Sequence, residues 1–528
     1  MRRRELLGAL SATPFMTAAC APRERPPLQG GWVGARAERG HLLRDAGSRE
    51  RLLQAAASAP PRRTEVLIVG GGVSGLACAR RLARLRRDFA LLELEDEAGG
   101  NARGHRMGAF DCPLGAHYLP TPGPNAPEVA QLLEELGVSR QRAGRTVYEE
   151  RFLCHSPQER LFFEGQWHEG LLPPADSAAT REQYQRFAKA VTQAQTLGFA
   201  MPSHRAPWTA AHAALDAQPF ARWLDEQGLT DARLRWYLDY CCRDDYGAGA
   251  ATVSAWAGLH YFASRHGFHG SEARAGDEER EAVLTWPEGN AWLTRRMAGA
   301  MGDHLQTGRL VLRAGVGPQG VEVLAWNART QAGERWQAQQ LVMATPLFIA
   351  ARLLDEVPDA LREVVARQPH APWLVANLQL SAPLLDRSGA ALSWDNVLFG
   401  SGQLGYVDAG HQRLDPTAGP TVLTAYWALP VAQRRALLES PWEAWAGQVL
   451  APLQAVHPDL TDKLLRADLM RWGHAMSIPV PGLRGSTALA ALRKPLGRLH
   501  FAHSDLAAYS VFEEAYVAGW DVAGRLLG

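Results

Sequence analysis

At 528 residues the chain exceeds what one hydrophobic core normally organises, and length alone divides it into two to four domains. Hydrophobic residues make up 46% and charged residues 21%, proportions that exclude an extensively disordered chain and a multi-span membrane protein. The formal net charge of +1 leaves no broad basic footprint for nucleic acid.

The chain opens Met1-Arg2-Arg3-Arg4-Glu5-Leu6-Leu7 and continues as a weakly apolar, alanine-rich stretch to Ala19. A basic start, a short apolar centre and small residues near its end have the layout of an export signal. The stretch is too short and too interrupted for a transmembrane helix. Arg3-Arg4-Glu5-Leu6-Leu7 resembles the bacterial twin-arginine signal, which hands folded proteins to the twin-arginine export machinery. Thr17-Ala18-Ala19-Cys20 resembles a lipoprotein lipobox, with Thr17 where an aliphatic residue is usual. Lipidation of Cys20 and simple cleavage of residues 1–20 both stay open. The expectation is export to the bacterial periplasm, with membrane attachment if Cys20 carries lipid. Residues 21–61, rich in Pro, Arg, Gly and Ala, read as a tether.

The first folded element is predicted at Glu65-Val66-Leu67-Ile68-Val69, a β-branched run suited to a buried parallel strand. It leads directly into Gly70-Gly71-Gly72-Val73-Ser74-Gly75 and then into Leu76-Ala77-Cys78-Ala79-Arg80-Arg81-Leu82, a good helix former. Strand, G-x-G-x-x-G and helix is the context a dinucleotide fingerprint requires. Gly70 allows the tight turn, Gly72 lets the backbone approach a diphosphate, and Gly75 permits close helix–strand packing. Val73 and Ser74 open the helix, whose free N–H groups and positive dipole end face the phosphates. A second strand, Phe89-Ala90-Leu91-Leu92-Glu93, places Glu93 18 residues beyond Gly75, where its carboxylate can accept ribose hydroxyls.

Gly315-Val316-Gly317-Pro318-Gln319-Gly320 fits the same glycine pattern. It contains a proline and lies between two strand-like runs, Leu310-Val311-Leu312 and Val321-Glu322-Val323-Leu324. With no helix behind it, the segment reads as a turn rather than a second nucleotide site, so a nicotinamide co-substrate is not expected.

Leu92-Glu93-Leu94-Glu95-Asp96-Glu97-Ala98-Gly99-Gly100 resembles the acidic-strand and double-glycine motif of FAD-dependent amine oxidases, protoporphyrinogen oxidases and carotenoid desaturases. In that superfamily an arginine follows the glycine pair; here Asn101 does, with Arg103 two positions on. Pro287-Glu288-Gly289 is similar to the family's return into the FAD domain. The strands from Thr307 to Pro346 are similar to its crossover, and Leu499 to Asp505 to its second flavin segment. The resemblance covers nearly the whole chain beyond the tether. It implies an α/β protein: a Rossmann-like FAD-binding domain, its parallel sheet discontinuous in sequence, with a mixed α+β substrate domain. The FAD domain is expected over 62–145, 284–350 and 470–528, and the substrate domain over 146–283 and 351–469. FAD is the implied cofactor. Its contacts are expected at Gly70, Gly72, Val73, Ser74, Gly75, Glu93, Gly99, Gly100, Asn101, Arg103, Val311 and Asp505.

In the substrate regions, the aromatics of Leu234 to Tyr240 and Ser254 to Phe262 read as core, and Arg243-Asp244-Asp245 as a structural ion-pair and capping cluster. By analogy with amine oxidases, Trp472, His474 and Tyr509 are the candidates for the flavin face. A histidine there could take a proton near neutral pH, and a hydrogen-bonded structural role for His474 stays equally open. Cysteines 78, 112, 154, 241 and 242 match no zinc spacing and read as small buried hydrophobes, so no metal is expected. The only lysines are Lys189, Lys463 and Lys494, none at the position where many amine oxidases hold a lysine near flavin N5. Either another residue serves there, or oxygen is not the preferred electron acceptor; a quinone and a redox protein also stay open. The expected chemistry is hydride removal from a C–H bond of a small organic substrate, as in amine oxidases. Two alternatives remain: a desaturase or isomerase of an apolar, polyene-like substrate, and a flavin-binding electron-relay or assembly protein without a small substrate.

Overall fold

The computed structural model describes residues 27–268, 282–412 and 419–526. The expected export signal, Cys20 and the first residues of the expected tether lie outside these. Two sheets organise the described residues. The first has seven strands in the order Leu305–Thr307, Phe89–Glu93, Pro61–Val69, Ala332–Met343, Gly320–Asn327 and Arg309–Gly317, with Leu499–Phe501 paired to the end of Ala332–Met343. Pro61–Val69 lies parallel between Phe89–Glu93 and Ala332–Met343. Its last four residues are buried on both faces, which explains why it reads as a continuous apolar run rather than an alternating one. The helix Val73–Arg84 follows directly and packs against the C-terminal helix Phe512–Arg525. Their approach is so close that a Cβ on Gly519 would stand 1.9 Å from the Ser74 carbonyl oxygen.

Gly317 and Gly320 pair as the last residues of two antiparallel strands, leaving Pro318-Gln319 as a two-residue turn. The second glycine-rich motif is therefore a hairpin, with no helix behind it.

The second sheet has eight strands in the order Gln29–Trp32, Leu464–Ser477, His370–Leu380, Thr421–Ala428, Gly405–Asp408, Asp395–Leu398, Glu159–Phe163 and Gln166–Glu169. Helices from Ala178 to Tyr261 pack on one face in a core that includes Phe187, Phe220, Leu238 and Trp256. Helix Trp442–Val456 packs on another core with Leu374, Leu378 and Leu469. The strand Leu464–Ser477 belongs wholly to this sheet, so the last segment of the nucleotide domain begins after it rather than at 470. Helix Asp359–Arg367, expected in the substrate domain, packs with helix Thr487–Leu492 in the core that holds Leu67, Val69 and Leu341. An apolar periodicity announces a buried face without saying which of two sheets will bury it.

The tether expectation is corrected over the described part of that segment. Gln29–Trp32 (β1) adds a parallel edge strand to Leu464–Ser477. Two helices follow, Ala37–His41 (α1) and Ala46–Ala57 (α2), the second capped by the Asp45 carboxylate, which accepts from Ser48 N–H at 3.0 Å. Leu42, Leu43, Leu52, Leu53 and Ala56 close over Leu310, Leu312 and Leu324. Five apolar side chains in an arginine- and alanine-rich composition are enough to dock the segment, although only Ala56 is fully buried. Cys78, Cys112, Cys241 and Cys242 are buried, Cys154 is half-buried, and all five are free thiols.

Candidate active site

A cavity of about 580 Å³ runs between the two sheets. One end is built from the first strand–turn–helix. Gly70 turns the chain at φ +106°, and a Cβ there would lie 2.6 Å from the Ala344 carbonyl oxygen. The Gly71 N–H donates to Glu93 Oε2 at 2.7 Å, and Gly72 caps the helix Val73–Arg84. The double-glycine loop meets this turn: Gly99 N–H donates to the Gly71 carbonyl at 2.8 Å, and a Cβ on Gly100 would come within 3.2 Å of Gly72 Cα. Gly70, Gly72, Val73, Ser74, Glu93, Gly99, Gly100, Asn101, Arg103, Val311 and Asp505 all line this cavity. Gly75 stands behind it, where a Cβ would be 1.9 Å from the Gly70 carbonyl oxygen. Gly75 thus serves packing, and it is not among the residues lining the cavity, which corrects the FAD contact also expected of it. Two touching glycine loops, a helix N-terminus and a buried carboxylate on the second strand fit a dinucleotide. So does Thr345, whose buried Oγ1 beside the cavity has no partner among the described residues.

The polar residues here are partly committed elsewhere. Glu93 is raised in pKa by burial against the opposing backbone hydrogen bonds from Glu95 and Gly71. The Asn101 side-chain amide donates to the Ala475 carbonyl. Arg103 donates to the Gly100 carbonyl at 3.3 Å, faces Glu95 at 3.8 Å and lies over the Trp472 ring. Asp505 is fully buried; its Oδ2 accepts from Leu347 N–H at 2.9 Å, and His370 and His503 approach at 3.2 Å. Although burial opposes ionisation, the two imidazoles hold this carboxyl well below the usual range.

The far end is aromatic and then charged. Trp373 and Trp472 are direct partners across adjacent strands. Trp472 Nε1 donates to the Leu114 carbonyl at 2.6 Å, whereas the buried Nε1 of Trp373 has no partner among the described residues. His117 stacks on Tyr426 with ring centroids 4.3 Å apart, and Tyr426 donates its hydroxyl to the Gly115 carbonyl at 3.1 Å. Burial pushes the His117 imidazole down to about 3, so it stays neutral. Beyond them Asp244, Asp245, Arg265 and Glu513 line the wall. Arg265 pairs with Glu513 at 2.5 Å. Asp244 is pushed up to about 7 by burial and then by the Asp245 charge, and Asp245 to about 6 by burial against the nearby Arg265. Arg243 does form the structural pair expected of the cluster, with Asp239. The two aspartates that follow it instead face the cavity, because successive residues of the helix Ala232–Tyr246 are rotated by about 100° and so leave the face that Arg243 shares with Asp239.

The flavin-face candidates separate. Trp472 and His474 line the cavity and Tyr509 does not. Tyr509 is fully buried among the substrate-side helices, donates to Glu514 Oε1 at 2.7 Å and packs edge-on to His260. It is structural. His474 sits against Phe348, with ring centroids 4.7 Å apart. Burial, then the charges of Arg434 and His370, push it down to about 3, which corrects the expectation that it takes a proton near neutral pH. No lysine lines the cavity. Sequence reading missed Tyr118, Trp373, Tyr426, Arg265 and Glu513, which no short motif marks; Asp244 and Asp245 were visible as a cluster and were assigned to the scaffold.

The two aspartates make stability depend on pH. Both pKa values stand above the usual carboxyl value of about 4, so the folded chain holds these protons more tightly than the unfolded one. Their contribution is fully present below about pH 4 and is lost as pH rises through the folded values near 6 and 7. Asp244→Asn is expected to gain Tm relative to the parent as pH rises from about 5 to about 8. A Tm difference that does not change with pH would show that Asp244 ionises without cost.

The model of a protein family described as flavin containing amine oxidoreductase matches residues 73–527. An L-amino acid dehydrogenase of Synechocystis sp. is 25% identical over 490 residues, covering 90% of this chain and 97% of its own. Flavin-containing amine oxidase B of Bos taurus is 22% identical over 488 residues, 88% of this chain and 86% of its own. Among solved structures, a double mutant of putrescine oxidase superposes with a TM-score of 0.70 at 20% identity, over 89% of this chain and 100% of that one. Cyclohexylamine oxidase from Brevibacterium oxydans superposes at 0.65 and 19% identity, over 88% and 98%.

Proposed function

The chain belongs to the flavin containing amine oxidoreductases and is an FAD-dependent oxidoreductase, and from that premise we propose that it removes a hydride from the C–H bond next to nitrogen of a small amine. FAD, when bound, supplies the hydride acceptor. The observation that carries the amine is the charge at the far end: Asp244, Asp245 and Glu513 line the cavity beside one lining guanidinium, Arg265, which Glu513 already holds, while the guanidinium nearest Asp244, that of Arg243, is committed to Asp239. An incoming ammonium meets an unmatched carboxylate, and in an enclosed site the neutral pair costs less than two desolvated ions. Asp244 therefore takes the ammonium proton and leaves the nitrogen lone pair free. That lone pair becomes the C=N bond as the hydride leaves, and the product departs as an iminium ion. Trp373, Trp472 and Tyr426 hold the reacting carbon and exclude water.

The same charge weighs against an apolar polyene, which would bring no polar group to Asp244 and Asp245, and the enclosed end favours a small substrate over pure electron relay. The test is an anaerobic screen of primary amines, amino acids and carotenoid extracts against the purified holoprotein, following loss of the visible flavin bands. Bleaching by amines is expected. Bleaching by carotenoids alone, or by nothing in the panel, would overturn the reading.

We further propose that electrons leave to a quinone or redox protein rather than to oxygen. The absence of lysine from the cavity wall and the name of the dehydrogenase relative support this. Amine-driven oxygen uptake as fast as quinone reduction would refute it. The twin-arginine-like start and Cys20 support export to the bacterial periplasm with a lipidated Cys20 as membrane anchor. Membrane fractionation of the parent and Cys20→Ala reads this out.

A further inference from the structure

The family match begins at residue 73, after the folded segment from β1 to α2. That segment nonetheless reaches the cofactor's cavity. α1 lies on the residues that follow Glu93: Arg36 N–H donates to the Glu95 carboxylate at 3.1 Å, and Arg39 reaches the Leu94 carbonyl at 3.2 Å and Asp96 at 2.9 Å. Gly40, His41, Leu43 and Arg44 line the cavity beside Glu93, Leu94 and Val311. Leu43 packs on the two apolar cores that meet there, one holding Leu92 and Val311 and the other Leu310 and Leu312. β1 meanwhile pairs with the strand that carries Trp472, and α2 packs on the other sheet, so one segment contacts both sheets beside the cavity.

The charge inventory gives this wall a task. The position after the glycine pair holds Asn101, whose amide is spent on Ala475, and Arg103 is held by Gly100 and Glu95. Arg44, by contrast, lines the cavity with no carboxylate partner among the described residues, as does Arg352 across the mouth. A flavin dinucleotide brings two phosphate charges to this end, and a guanidinium is the side chain best suited to them.

We infer that Gly40–Arg44 is part of the FAD site, closing over its adenosine–diphosphate half, and that Arg44 supplies the phosphate-directed cation that position 101 does not. The inference concerns retention of the cofactor, so its failure would leave the amine reading untouched.

The test uses the full chain, stripped of flavin and titrated with FAD by quenching of flavin fluorescence. Arg44→Ala is expected to weaken FAD roughly tenfold and to speed its dissociation to a similar degree, the loss shrinking at high salt. Arg51→Ala, on the same segment but bonded to Ser48 and away from the cavity, is expected to match the parent. FAD is also expected to slow proteolysis between Val33 and Asp45. Leu43→Ala reads the same contact through packing if the charge change disturbs folding. An Arg44→Ala protein with parental Tm and parental FAD affinity overturns the inference, as does cleavage of the segment at equal rates with and without FAD.

Discussion

Gly72→Val is expected to give a folded protein that purifies colourless. The nearest atom to a Cβ at this position is Gly100 Cα, 4.0 Å away, an ordinary contact, so the first added carbon fits and the side chain fills the space between the two glycine loops. That space is where the backbone must approach the diphosphate. The chain tolerates the valine and the cofactor does not. A loss of about 100-fold or more in FAD affinity, roughly 2.7 kcal/mol, should accompany a Tm of the flavin-free protein within a few degrees of the flavin-free parent. Gly75→Val is the instructive contrast. A Cβ there collides with the Gly70 carbonyl at 1.9 Å, so this variant should lose stability with or without FAD. Retention of yellow colour by a soluble Gly72→Val protein would remove the dinucleotide from this turn altogether.

The second large effect is expected at Asp244. Asp244→Asn keeps the size of the side chain but cannot receive the ammonium proton. kcat/KM for amines should fall about 10²–10⁴-fold, the usual worth of a positioned acid–base group. Because this carboxyl stands at about 7, its ionised, proton-accepting form dominates only above that pH. The parent's kcat/KM should rise with pH through about 7, and the variant's profile should lack that limb. FAD affinity serves as the control, since Asp244 lies at the opposite end of the cavity from Gly72. Undiminished amine turnover by a flavin-loaded Asp244→Asn protein would send the search for the proton acceptor elsewhere.

The dinucleotide half of this site was legible in the chain because its constraints are local. A buried strand, a glycine forced to φ +106° at Gly70, a helix starting at once and a carboxylate one strand on are all set by backbone sterics within about 30 residues. The same local logic separated the hairpin at Gly317–Gly320 from a second nucleotide site.

What only the tertiary structure decided is which way each side chain faces and what surrounds it. Tyr509 and Trp472 are equally aromatic in the sequence, yet a short turn buries one among helices and a strand presents the other to the cavity. His474 is close to the flavin segment, but Arg434, from a helix 40 residues earlier (474 − 434), helps remove its proton affinity. Asp244 and Asp245 become functional candidates only when the end of their helix is set against Arg265 and Glu513, and residues 27–57 become structure only when Leu310 and Leu324 offer them a face. Burial and electrostatic environment are sums over neighbours distant in sequence, so they exist only once the two sheets have closed on each other.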